Sequence, residues 1–244
     1  MRELWQEDWT LGALDVSPAR RLRFSALLAK VQLASIAHAT ALGAGREKTL
    51  DRGLLWAVSR VRARFARVPR YDERVRLVTW PGETMHALFP RYFELLDGEG
   101  RQLVLGSSLW LLMDGRTRRM AFPEEWGVEV PGLVRGDEPE LPPALLPVRG
   151  PESGRTVLYS DTDLNGHMNN SRYADWADDL LGGERLAGLE LRLAQINYQR
   201  EAREGTALLL RSSFSGGVLR AEGLEETQRV FSVFEEFEET GGGA

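Results

Sequence analysis

Between Ser160 and Leu181 the chain reads SDTDLNGHMNNSRYADWADDLL. Asp161, Asp163, Asn165, His167, Asn169 and Asn170 crowd into this stretch, just ahead of an amphipathic pattern carried by Tyr173, Trp176 and Leu180. One reading is a helix start: Asn169 or Asn170 suits an N-cap, and Gly166 permits a left-handed turn. That employs one or two Asn and leaves Asp161, Asp163, Asn165 and His167 without a role. The other reading is chemistry on a carbonyl group. A helix N-terminus offers unpaired amides and the positive end of the helix dipole, which suit a developing oxyanion. Asn165 can add a donor or fix a water, and Asp163 and His167 can orient or deprotonate one. Positions 163, 165 and 167 point the same way if the loop is extended. On pattern alone the cap has the better claim.

The remaining composition limits the chemistry. There is no cysteine, so disulfides, thiolate metal sites and a cysteine nucleophile are excluded. Three histidines, His38, His86 and His167, make an all-protein zinc site a poor expectation. Neither a metal nor a cofactor is expected, and carboxylates, amides, hydroxyls and one imidazole must suffice. His38, within a helical pattern beside Ile36 and Ala37, reads as a core histidine, and His86 in PGETMHAL as a solvated loop residue.

With 43% hydrophobic residues over 244 positions the chain can bury a sizeable core. It lacks a basic-then-apolar leader and any run of about 18 apolar residues, so a cytoplasmic location without a membrane span is expected. Charge is uneven. Up to Arg135 there are 21 Lys and Arg against 16 Asp and Glu; beyond it there are 10 against 20. A basic front half suits docking of an acidic partner, and equally suits Arg-rich strands facing water.

The elements that must position the polar segment follow from periodicity. SPARRLRFSALLAKVQLASIAHATALG spaces Leu27, Leu28, Val31, Leu33, Ala34, Ile36 and Ala37 as a helix over residues 24–42, closed by Gly43. LLWAVSRVRARFARV, RVRLVTW, ALFPRYFELLD and RQLVLGSSLWLLMD then read as strands of an antiparallel meander, with a turn at DGEG. RGDEPELPPALLPVRGPESG, residues 135–154, has neither period and reads as a linker. Past it the plan repeats: a short strand RTVLYS, a helix over 170–181, and strands LELRLAQINYQR, GTALLLRSSF, VLRAEG and TQRVFSVFEEF. The tail EEFEETGGGA is expected to fray. One helix and four antiparallel strands, twice, predict an α+β chain with a double hot-dog fold. The expected organisation is an N-terminal domain over 1–134, the linker, and a C-terminal domain over 155–244.

DTDLNGHMNNSRYADW resembles the Asp, Asn, His, Asn-Asn, Tyr, Trp signature of the acyl-acyl carrier protein thioesterases of plants and bacteria. LLWAVSRVRARFARVPRYDERVRLVTWP, GSSLWLLMDGRTRRMAFPEE and INYQREAREGT follow that family's order over most of the chain. The resemblance implies a double hot-dog fold and hydrolysis of fatty acyl-carrier thioesters. It places the family's catalytic Asp, Asn and His on Asp163, Asn165 and His167, and its active-site Glu on Glu201. Without it, Glu201 reads as a strand-end carboxylate paired with Arg200 or Arg203. Many members carry Cys after that Glu, where this chain has Ala202, which points to activated water as the attacking group. Which of Glu201, His167 and Asp163 is the base stays open.

The implied partner is an acyl carrier protein bearing a fatty acyl chain, steered by Arg20, Arg21 and Arg23 or by Arg116, Arg118 and Arg119. No nucleic-acid partner is expected, and a homodimer is open because such units pair. Trp56, Trp80, Phe89, Phe93, Trp110 and Met113 divide between core and an acyl tunnel in a proportion the sequence does not reveal. Competing readings are an acyl-coenzyme A thioesterase, a hot-dog dehydratase, against which the Asn-rich motif argues, and a non-catalytic acyl-binding module.

Overall fold

Side chains alternate across a strand and recur every three to four residues on a helix, so one apolar face of each element defines a common core. The computed structural model describes residues 4–240. Its main elements are β1 (Trp5–Thr10), α1 (Phe24–Ala41), β2 (Leu54–Phe65), β3 (Arg74–Pro81), β4 (Leu88–Leu96), β5 (Gln102–Asp114), the short α2 (Pro123–Trp126), β6 (Glu152–Thr156), α3 (Arg172–Leu181), the short α4 (Gly183–Ala187), β7 (Leu189–Tyr198), β8 (Ala207–Ser215), β9 (Val218–Glu225) and β10 (Gln228–Glu239). The ten strands form one antiparallel sheet in the order β1-β3-β4-β5-β2-β7-β10-β9-β8-β6.

The order reads as one plan and its copy. Each half is a strand, a helix and four strands, and the two halves join where β2 pairs with β7. The double hot-dog expectation stands, with two corrections. The first half has a fifth strand, because β1 precedes α1 just as β6, at Glu152–Thr156 near the expected RTVLYS, precedes α3. Nor is the first half a plain meander: β2 lies beside β5, and β1 takes the place next to β3. Strand β1 escapes sequence reading because WQEDWT is short, acidic and paired on one side only.

At the seam Ala63 faces Ala194 and Val61 faces Ile196, and all four are buried in one core cluster that spans both halves. The buried stripe of α1 is Phe24, Leu27, Leu28, Val31, Ala34, Ser35 and His38. Leu33 and Ile36 are instead exposed, so His38 faces the sheet rather than sharing the side of Ile36. Truncating Leu27, with no exposed surface, to Ala would cost about 2–5 kcal/mol. His86 is exposed, as expected.

The opposite face of the sheet carries Arg60, Arg62, Gln195 and Asn197 in register. The Pro-rich segment of residues 139–147 crosses this face. Its carbonyls accept hydrogen bonds from sheet side chains: Ser107 to Glu140 (2.7 Å), Arg60 to Pro142 (3.1 Å), Gln195 and Asn197 to Pro143 (2.7 and 3.1 Å), and Arg229 to Leu145 (3.2 Å). Proline lacks a backbone donor and disrupts any ladder, so these carbonyls take side-chain partners instead. The tail does not fray where expected: β10 runs to Glu239, with Glu235 fully buried and Phe237 in the core. The terminal residues 241–244 lie outside the described residues.

Candidate active site

The polar segment folds into a closed loop. Asp163 N donates to the His167 carbonyl (2.9 Å), and Gly166 N, at φ +74°, donates back to the Asp163 carbonyl (2.9 Å). The Asp163 carboxylate accepts from Asn165 N (2.8 Å) and Asn169 Nδ2 (3.2 Å). This is an Asx turn stabilised by its own side chain, so residues 163, 165 and 167 do not project together from an extended strand. Asp163 is the organiser of the loop. Asp161, 4% exposed, is structural as well, accepting from Leu158 N (3.0 Å) and lying 3.4 Å from Arg172 Nε.

Asn169 builds the entry to α3. Its Oδ1 accepts from Ser171 N (2.9 Å) and Ser171 Oγ (2.8 Å), and its carbonyl accepts from Arg172 N (2.9 Å). Ala174 N is bonded to the Ser171 carbonyl. Amides at 171, 172 and 174 are therefore already engaged, and the expected oxyanion site at this helix N-terminus loses most of its donors. The helix begins two residues later than the spacing predicts, at Arg172. Behind the loop, Tyr198 Oη donates to the Asn170 carbonyl (2.9 Å), and the Tyr173 ring packs against those of Tyr198 and Phe231. Burial raises both phenols, so they stay neutral.

Glu201 follows β7 and reaches His167 across the loop, with His167 Nε2 3.0 Å from Glu201 Oε2. A carboxylate only accepts, so Nε2 carries a hydrogen and Nδ1 holds the lone pair. The other carboxylate oxygen, Oε1, accepts from Arg118 Nη1 at 2.8 Å. Arg118 Nη2 lies 3.5 Å from His167 Nε2; with that nitrogen's hydrogen turned to Glu201, the approach is one of charge rather than a hydrogen bond. Burial holds the imidazole pKa below its usual value, Glu201 opposes that, and Arg118 and Arg203 reinforce it. A depressed imidazole is neutral at pH 7 and free to take a proton. Asn165 is exposed at the rim, and its side-chain amide makes no hydrogen bond among the described residues.

Arg118 is the site residue that sequence reasoning assigned elsewhere, to a steering cluster. It sits in the turn after β5, at φ +57°. The Asp114 side chain accepts from Arg116 N (2.9 Å) and Thr117 N (2.7 Å), and its carbonyl accepts from Arg118 N (2.9 Å). The DGRT run following a long strand is the local signal of that turn. Ala202, in the position next to Glu201, is 1% exposed and packs in the core cluster.

Of the aromatic residues in question, Trp56, Phe89 and Trp110 line a narrow apolar cleft under the second half of α1, with Ile36, Ala39 and Val130. Trp80 lies on the other face of the sheet under Arg135, 4.3 Å from the ring, Phe93 is fully buried in the core, and Met113 is half-buried. Trp110 and Asp114 stand four positions apart on β5, a run of about 14 Å from the cleft to the turn that holds Arg118.

The chain is 27% identical over 230 residues to the chloroplastic dodecanoyl-acyl-carrier-protein hydrolase of Cinnamomum camphora, which covers 88% of this chain and 60% of that protein. It is 23% identical over 216 residues to the chloroplastic palmitoyl-acyl carrier protein thioesterase of Cuphea hookeriana, over 81% of this chain and 52% of that one. The chain thus spans somewhat over half the length of the curated relatives it matches. The solved 12:0-ACP thioesterase of Umbellularia californica superposes with a TM-score of 0.84 at 22% identity, covering 98% of this chain and 99% of that one. An acyl-ACP thioesterase structure from Bacteroides thetaiotaomicron does so at 0.83 and 21%, covering 97% and 98%. Both share the fold. A model of the acyl-ACP thioesterase N-terminal domain matches residues 2–125 and one of the C-terminal domain residues 150–230, so the chain belongs to the acyl-ACP thioesterase family.

Proposed function

We propose that this protein hydrolyses fatty acyl-acyl carrier protein to free fatty acid and carrier protein, with water as the nucleophile. The observation that carries the proposal is the cluster of His167, Glu201 and Arg118, in a chain without any cysteine, with the side-chain amide of Asn165 exposed on the same loop as His167. Water attacks the thioester carbonyl carbon while His167 takes its proton at Nδ1, and Glu201 holds Nε2–H and stabilises the imidazolium. The oxyanion accepts from Asn165. Collapse of the tetrahedral intermediate breaks the carbon–sulfur bond, and the imidazolium returns the proton to the leaving thiolate. Asp163 keeps the loop in shape.

Residues 1–134 are assigned the acyl chain, in the cleft under α1, and the carrier; residues 155–244 are assigned His167, Glu201 and Asn165, with 135–154 joining the two. For the carrier, the turn of Arg116 and Arg119 is the better dock. Both are exposed beside the site, with Arg200 and Arg203 exposed on its other side. Two of the three arginines of the alternative cluster, Arg21 and Arg23, are spent on structure, which leaves Arg20 exposed alone. Arg21 donates to the Ala187 and Leu189 carbonyls (3.1 and 2.7 Å), and Arg23 to that of Val16 (3.0 Å).

The test is release of free thiol across a ladder of acyl chains on carrier protein, run beside the same chains on coenzyme A. Carrier-selective release supports the proposal. Preference for coenzyme A would move the protein to that substrate, and acyl binding without release would make it a binding module.

A further inference from the structure

The cleft under α1 has apolar walls and one charged group, Arg91, which is 6% exposed and points from the inner face of β4. Its Nη1 donates to Thr79 Oγ1 (3.3 Å) and to His38 Nδ1 (3.3 Å), an acceptor because a guanidinium offers only donors. Among the described residues Nη1 is the only nitrogen of this side chain with a hydrogen bond, and no carboxylate pairs with it. Thr79 and His38 grip one corner of the fork and leave the edge formed by Nε and Nη2 unused. That edge is the one that takes a carboxylate bidentately. Burial alone lowers the Arg91 pKa to about 10, so the group is still a cation at neutral pH, held without a carboxylate partner among the described residues at a cost.

A cleft meant for a bare alkyl end gains nothing from such a group. Methyl and methylene groups neither neutralise a cation nor satisfy its donors, whereas an anion does both. We propose that the cleft receives an acyl chain whose far end bears a carboxylate, bound through Nε and Nη2 of Arg91. The proposal rests on the reading of the protein as a thioesterase and narrows its substrate to the half-thioester of a dicarboxylic acid. Walls of Trp56, Phe89 and Trp110 would hold the methylene chain, and Arg91 would read its end.

The test compares acyl-carrier thioesters of equal chain length ending in methyl, hydroxyl or carboxylate, with wild type, Arg91→Lys and Arg91→Met. Wild type is expected to favour the carboxylate by roughly 10- to 100-fold in kcat/KM over methyl, the range for charge-assisted hydrogen bonds. Arg91→Lys keeps the charge without the fork and should lose most of that preference, and Arg91→Met should reverse it. Calorimetric binding of the matched monoacid and diacid to wild type reads the site without hydrolysis and without a variant that must fold. Tighter diacid binding with no thiol release would uphold this site and sink the thioesterase reading instead. Wild type that prefers the methyl end, or does not distinguish the ends in either assay, overturns the proposal.

Discussion

Arg118 Nη1 lies 2.8 Å from Glu201 Oε1 and so ties the first half of the chain to the second at the point where His167 meets the same carboxylate. The acid that orients the imidazole is itself held from the other half. Arg118 also adds positive charge beside His167, one of the influences that lower its pKa.

Replacing Arg118 by Met should therefore raise the His167 pKa and move the acid limb of the pH–rate profile upward. Loss of orientation should cost about tenfold or more in kcat. Stability should change by only about 0–1 kcal/mol, because the pair is partly exposed. A profile that keeps its position with kcat intact would show that Arg118 acts on neither group.

The imidazole pKa, lowered by burial first, sets the sign of the pH dependence. Below its usual value near 6.5 the unfolded chain binds the proton before the folded one does, so this group's contribution to stability falls as pH drops below about 6.5. On the proposed mechanism activity needs neutral His167, so the midpoint of its acid limb should lie below about 6.5. His167→Gln should abolish that limb; an unchanged limb in the variant would assign it to another group.

On α3, Asp178 is raised to about 7 by burial, with Asp175 and Asp179 adding to the rise and Arg23 opposing it. The carboxyl of Glu235, on β10 with no hydrogen-bond partner for either oxygen, is raised in the same way, and Asp178 contributes to that rise. A raised carboxyl binds its proton more tightly in the folded chain, so stability falls as pH rises from about 4 towards 7 and beyond. Asp178→Asn should raise Tm at pH 8, and the gain should vanish near pH 4. A lower Tm at pH 8 would contradict the assignment.

Arg116→Glu and Arg119→Glu place the opposite charge on the exposed turn beside the site. They should raise KM for carrier-bound substrate several-fold, the more so at low salt, and leave hydrolysis of a small thioester unchanged. Equal effects on both substrates would remove carrier docking from this turn.

Much of this was legible in the chain, for identifiable reasons. The period of α1 and the alternation of β2 and β5 report burial directly, so the repeated plan and the fold could be read from them. Strand β1 could not, since its six residues gain their place only from pairing with β3. In the site, His167 and Asn165 stand out by residue type, but Asp163 turns inward to the loop because two nearby donors reach it. Glu201 is invisible to spacing, and only the family resemblance points to it. Arg118 stands out in the sequence by its charge and not by its place, because a contact between residues 83 positions apart leaves no local trace.

In the proposed reaction neutral His167, held by Glu201, activates water against an acyl-carrier thioester. Single-turnover thiol release from one acyl-carrier protein in ¹⁸O-water, wild type beside His167→Ala of equal Tm, tests it most directly. Free fatty acid carrying one labelled oxygen is expected, released together with the thiol, with a loss of about 100-fold or more in the variant. Release by His167→Ala at the wild-type rate would contradict it.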